Sequence, residues 1–356
     1  MISVDEQIEA AERPGRRRLK ALARFAVGIA LFAGVLHWLA PDWNALRDAV
    51  TFDWRFALLG LLGTTLASFV TATRWKLLAE AMGGTRLSFP TYFYALVVTR
   101  LLGQFVPTVA MDLLGRGAFL RSAGSERGLG HAATQVVLER MFDGLLPILL
   151  LVWAVSIRNA WLPLTPLVSL AVFCVVFLIL AIPFLRPGVR VALRVYLWLR
   201  LRLNRRRRVA VAAESEAEFA DVPIVDAKLA SSIALLSLAR YMTVILQFFG
   251  IAGAVGLTVT WTQMTAATSV AQLAGLIGLT PGGLGVLEAG WAGGLGWVGL
   301  AAEPISLFVL AQRVGIISFF GLLSLISWPI ASRHKHALAA RRAAEPSPES
   351  RTTDHG

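Results

Sequence analysis

The chain has 356 residues, 34 Lys and Arg against 22 Asp and Glu for a net charge of +12, 56% hydrophobic residues and only 16% charged ones. A soluble domain is about 45–50% apolar and about a quarter charged, so a soluble enzyme is excluded, and the apolar content excludes a disordered protein. The one cysteine, Cys174, excludes a disulfide framework or a thiolate metal site.

Residues 1–20 form a basic tail containing Arg13, Arg16, Arg17, Arg18 and Lys20. The apolar run 22–39 follows. Its charged flank resembles a signal peptide, but the run is long and no Ala-x-Ala site follows, so it reads as a retained helix. Further apolar runs of spanning length lie at 54–73, 91–106 (ending at Pro107), 131–156 and 162–185. Nine arginines then fall between Arg186 and Arg208. Interleaved apolar residues make 188–208 an expected interfacial helix within a cytoplasmic 186–228 loop, and the acidic segment 214–226 reads as a solvated linker. A span at 229–255 follows. The run 263–279 ends in Thr280-Pro281-Gly282-Gly283, 284–300 is Gly-rich, and 305–330 is the last span. The fold class predicted is all-α: a polytopic transmembrane bundle over 21–331, followed by a disordered cytoplasmic tail over 332–356.

Basic runs can mark nucleic-acid binding. Here each run abuts an apolar segment, so the arginines read as cytoplasmic flanks of membrane spans, with no nucleic-acid partner. Holding both termini and 186–208 on the cytoplasmic side fixes the rest. Arg74, Lys76 and Arg86 lie inside, and 91–116 enters from the cytoplasm and returns to it. Residues 263–300 enter from outside and return outside. Seven of the eleven tryptophans (38, 43, 54, 153, 161, 261, 297) then border the outer face.

Two Gly/Pro-interrupted segments dipping from opposite faces are the pattern of an inverted repeat with a site near the midplane. The letters carry a weak echo. Val137-Leu138-Glu139-Arg140 follows the first break and Val309-Leu310-Ala311-Gln312-Arg313 the second. Pro107 precedes Arg140 by 33 positions and Pro281 precedes Arg313 by 32.

Charges at membrane depth are costly and so are functional candidates. Arg140 and Arg313, with Arg116 and Arg240, are candidates for binding an anionic lipid headgroup through guanidinium forks. Glu139, Asp143, Glu288 and Asp112 are candidates for charge pairing or proton coupling. Asp112 and Arg116 stand at i, i+4, as do Glu139 and Asp143, and structural pairing within the bundle stays an equal reading for them. Pro107, Thr280, Pro281, Gly282, Gly283 and Gly285 free backbone at the two breaks, where a helix N-terminus adds positive potential. No catalytic residue, cofactor or metal site is predicted.

Thr280-Pro281-Gly282-Gly283-Leu284-Gly285-Val286-x-Glu288, Leu138-Glu139-Arg140-x-x-Asp143 and Arg74-Trp75-x-x-Leu78 together resemble the lysylphosphatidylglycerol synthase transmembrane region, a flippase-like family, over about residues 20–331. In the first break, Ala110 and Met111 stand where that family commonly has two glycines before its aspartate. The resemblance implies lipid handling in a bacterial inner membrane. It also implies no aminoacyltransferase domain here, since about 25 residues follow the last span.

The expected function is translocation, or assisted translocation, of an anionic phospholipid or a polyprenyl- or hopanoid-type lipid. The partners expected are membrane lipids with anionic headgroups. A non-transporting scaffold for lipid-synthesis enzymes, and a lipid-linked transferase using Asp112 or Glu288 as base, are the alternatives. The sequence leaves the oligomeric state open.

Overall fold

The computed structural model describes residues 23, 26–39, 51–81, 87–106, 111–122, 129–161, 165–166, 168–181, 227–276 and 280–344. The basic tail 1–20, Trp43, Pro107, the 186–208 run with its expected interfacial helix, the acidic segment 214–226 and residues 345–356 lie outside the described residues.

The described elements form an all-helical polytopic bundle. They are α1 (Ala26–Leu39), α2 (Trp54–Ala81), α3 (Phe89–Leu102), a π turn (Met111–Gly115), α4 (Arg116–Ser122), α5 (Leu129–Arg158), α6 (Val168–Ala181), α7 (Ala227–Ala254), α8 (Trp261–Gly275), α9 (Val286–Trp297) and α10 (Ala302–Ala344). Trp54–Ala81, Lys228–Ala254 and Ala302–Ser332 are each long and apolar enough to cross a bilayer. Their outward faces are apolar: Phe69 is 52% exposed, Val314 66% and Leu325 72%. Thr64, Arg74, Gln247 and Gln312 instead point inward and are buried. A soluble monomer rarely exposes so much apolar surface, and this polarity suits a lipid surround.

Local chemistry starts the helices. Asp53 caps α2 by accepting from the Arg55 N–H at 2.8 Å. Thr260 and Gln263 form a reciprocal capping box at the start of α8. At its other end α2 runs on to Ala81, past the expected end at 73, so Arg74 lies inside the helix and is fully buried rather than in a cytoplasmic loop. The last helix likewise continues to Ala344, correcting the expected disorder for 332–344. That stretch is rich in Ala, Lys and Arg, all good helix formers, and its polarity masked the propensity.

α2 and α7 cross antiparallel and very close. The Asp53 N–H donates to the Ala254 carbonyl at 2.9 Å. A Cβ on Gly250 would lie 2.2 Å from the Gly60 nitrogen, and one on Gly63 would lie 2.4 Å from the Gln247 nitrogen. Small residues at the crossing are what allow this approach in lipid.

Two helical hairpins complete the frame. α8 and α9 fold back on each other, with Gly290 against Ala271 and Ala274 and Gly294 against Ala267. The Trp261 end of α8 sits near the Asp53 end of α2, where Trp261 packs on Phe249 of α7 at 5.7 Å between ring centres, and the Trp297 end of α9 lies under Arg158 of α5. α3 starts at the other half of α2, where Phe89 meets Phe69 and Tyr92 meets Trp75. It runs inward until the Gly282 N–H reaches the Val106 carbonyl at 3.3 Å. The end of α3, just before the first break, therefore touches the second break, the two approached from opposite ends. One tryptophan of the expected belt departs from it. Trp153 is 1% exposed, and its indole N–H donates to Ser169 at 2.9 Å, whereas Trp54 and Trp161 are exposed.

Candidate functional site

Charged side chains from six elements converge beside the second break. Arg74 of α2 donates through Nη1 to Asp143 at 2.9 Å and to the Ser237 hydroxyl at 2.9 Å, and its Nη2 lies 3.3 Å from Glu139 Oε2. Glu139 and Asp143, one turn apart on α5, thus face the same guanidinium. Arg116, at the start of α4, donates to Glu139 at 2.9 Å and stacks over Trp75 at 5.0 Å. Trp75 in turn donates to the Gln135 side-chain oxygen at 3.1 Å.

Arg140 projects from another side of α5, about 100° round the helix from Glu139. It donates to Asp112 of the π turn at 2.7 Å, and Arg100 of α3 lies 3.9 Å from the same Asp112 oxygen. Arg240 of α7 lies 3.0 Å from Asp143 Oδ1, the oxygen that Arg74 also uses. Asp112 and Asp143 are thus each shared between two arginines. The i, i+4 pairing of Asp112 with Arg116 suggested by sequence does not form. Asp112 binds Arg140 and Arg116 binds Glu139, because the π turn carries Asp112 toward α5 while α4 turns Arg116 under Trp75.

These groups edge a cavity of about 180 Å³. Arg100, Arg140, Arg240 and Asp143 line it, with the neutral polar side chains of Ser68, Thr71, Gln104, Gln247 and Gln272 and an apolar wall of Leu96, Val244, Phe248, Ile316 and Phe320. Gly282 and Gly283 of the second break line its rim. Arg140 and Arg100 keep 27% and 23% of their side chains exposed, against 0% and 1% for Arg74 and Arg116. Arg74 and Arg116 hold the wall; Arg100, Arg140 and Arg240 face the space. Chemically, the cavity presents three guanidinium forks from three helices to an anion.

The second break carries its own cluster. Gly282 and Gly285 have φ of +58° and +82°, which glycine adopts at little cost. Gly282 also leaves room for the Gln104 carbonyl, 2.6 Å from where a Cβ would sit. Thr280 closes the turn by donating to the Leu284 carbonyl at 2.8 Å, and Pro281 is buried. Glu288, fully buried, accepts from the Gly285 N–H at 2.6 Å, starting α9, and from Gln312 at 3.3 Å. Its Oε1 also takes the Arg313 Nε–H. Arg313 Nη1 donates to the Gly282 carbonyl at 2.9 Å and to the Gln104 side chain at 3.2 Å. Arg313 therefore does not line the cavity; it pins the two broken tips together behind Gln104 and Gly282.

Among the predicted site residues, the structure brings Arg140, Arg240, Asp143 and Asp112 to the cavity or its edge. It puts Arg116 and Glu139 in the wall, and Arg313 and Glu288 in the neighbouring clasp. Sequence reasoning missed Arg100, Gln104 and Gln272 as lining residues, and Arg74 as the hub of the wall. Arg100 sits in the last turn of an apolar helix ahead of a break, which is the signal that could have found it.

Residues 25–325 match the family model described as lysylphosphatidylglycerol synthase TM region. No curated protein and no solved structure matches the chain.

Proposed function

We propose, for a chain that belongs to the lysylphosphatidylglycerol synthase TM region family, that it translocates, or assists the translocation of, an anionic lipid between leaflets, without itself being an enzyme. The setting is a bacterial inner membrane with both termini cytoplasmic. Family membership makes it a membrane protein of lipid-related function. One observation carries the finer reading: Arg100, Arg140 and Arg240, from three different helices, face one cavity beside two broken segments. A phosphate seated there would leave its acyl or polyprenyl chains against the apolar side of the bundle. The glycines of the second break give that segment freedom to move as the headgroup passes.

The test is a lipid-scrambling assay in proteoliposomes with a fluorescent anionic phospholipid. Arg140→Gln and Arg240→Gln are expected to slow translocation by about tenfold or more, in line with the loss of one charge-assisted contact, while monodisperse folded protein is still recovered. Full-rate flipping in both variants would refute the reading.

A further inference from the structure

The charges around the cavity do not balance. Among the described residues the connected cluster holds five arginines (Arg74, Arg100, Arg116, Arg140, Arg240) and three carboxylates (Asp112, Glu139, Asp143), a surplus of two positive charges. Arginine cannot shed its proton in a protein, so burial cannot relieve the surplus by titration. The neutral side chains of Ser68, Thr71, Gln104, Gln247 and Gln272 supply no negative charge. Uncompensated charge at membrane depth is expensive, and a bound anion meets that cost.

Geometry points the same way. The Arg100 guanidinium makes no side-chain hydrogen bond among the described residues. Arg140 spends one N–H on Asp112, and Arg240 meets Asp143 through Nη1 alone. Among the described residues each keeps N–H groups without a partner at the edge of the cavity. A terminal phosphate offers three strong acceptor oxygens and close to two charges near neutral pH; a phosphodiester bridge offers two free oxygens and one charge.

We propose that this cavity selects a doubly charged phosphate, a phosphomonoester or a diphosphate, over a phosphodiester. This rests on the anionic-lipid reading above but names the headgroup class. The three arginines take the terminal oxygens, and the glutamines contact what lies beyond them.

The binding test uses the full chain in detergent at low chloride. Thermal melts are titrated with pyrophosphate, glycerol 3-phosphate and dimethyl phosphate. Pyrophosphate and glycerol 3-phosphate are expected to stabilise at concentrations at least about tenfold below dimethyl phosphate. Glycerol 3-phosphate should lose potency as pH falls through about 6, where its second proton returns. Arg240→Gln should abolish the distinction, and Arg240→Lys, which keeps the charge, should retain part of it. Equal potency of dimethyl phosphate overturns the proposal. A transport arm compares phosphatidic acid with phosphatidylglycerol in proteoliposomes. If both move equally fast and both depend on Arg140, the translocation reading stands and the headgroup class falls. If neither moves while the melts keep their order, translocation falls and the selective anion site stands.

Discussion

Arg140 donates to Asp112 at 2.7 Å, an ion pair that closes 28 positions of sequence and ties the long helix α5 to the turn just past the first break. The second half of the chain repeats the device: Arg313 on α10 holds Glu288, 25 positions earlier and just past the second break. In both halves an acidic residue beyond a broken segment is gripped by an arginine on the next long helix. The outcomes differ. Arg140 still faces the cavity, while Arg313 has further partners at the Gly282 carbonyl and Gln104.

Removing the Asp112 charge raises the cationic surplus by one. Asp112→Asn is expected to tighten pyrophosphate binding by about tenfold, since Arg140 and Arg100 lose the carboxylate that competes with the ligand. The same variant should melt lower without anion and regain stability with it. Isothermal titration and thermal melts at matched salt check both halves.

Arg74 is the hub that neutralises Glu139 and Asp143. Arg74→Ala takes one guanidinium from each carboxylate, leaving Glu139 to Arg116 and Asp143 to Arg240, and breaking these buried pairs is expected to cost up to about 3–5 kcal/mol. Arg74→Lys should rescue little, because one ammonium cannot match the forked contacts to Asp143 and Ser237. Melting temperature and monodispersity in detergent read the effect.

Gly250 faces Gly60 where α2 and α7 cross, with no room for a side chain. Gly250→Val should force the helices apart and destabilise by at least about 1–3 kcal/mol. An exposed position on the same helix, Leu235→Val, is expected to change little. Comparing the two melts separates a crossing defect from a general loss of helix propensity.

Glu288→Gln removes the charge partner of Arg313 while keeping the shape of the side chain. The loss is expected at about 3–5 kcal/mol because a buried guanidinium is left unpaired. The double variant Glu288→Gln with Arg313→Gln should recover part of it, and a double-mutant cycle measures the coupling.

Much of this arrangement was legible in the letters because membranes impose coarse rules. Spans, breaks and the inward placement of Glu139, Arg140, Asp143, Glu288 and Arg313 follow from hydropathy and from the price of buried charge. Partner choice was not legible. Asp112 and Arg116 look like an i, i+4 pair, but a π turn changes the angle between them and sends each to a different side of α5. Arg74 lay hidden because a basic residue near the end of an apolar run reads as a cytoplasmic flank; only the continuation of α2 to Ala81 buries it. Gln104 and Gln272 reach the cavity through helix crossings that no local pattern encodes.

The Gly282 N–H reaches the Val106 carbonyl, and Arg313 holds Gly282 and Gln104 at the same junction, so the two halves of the chain are joined there by a handful of hydrogen bonds. Any movement that parts the second tip from the end of α3 would first have to break the clasp of Arg313, so the residues that lock this junction would also be the ones that release it.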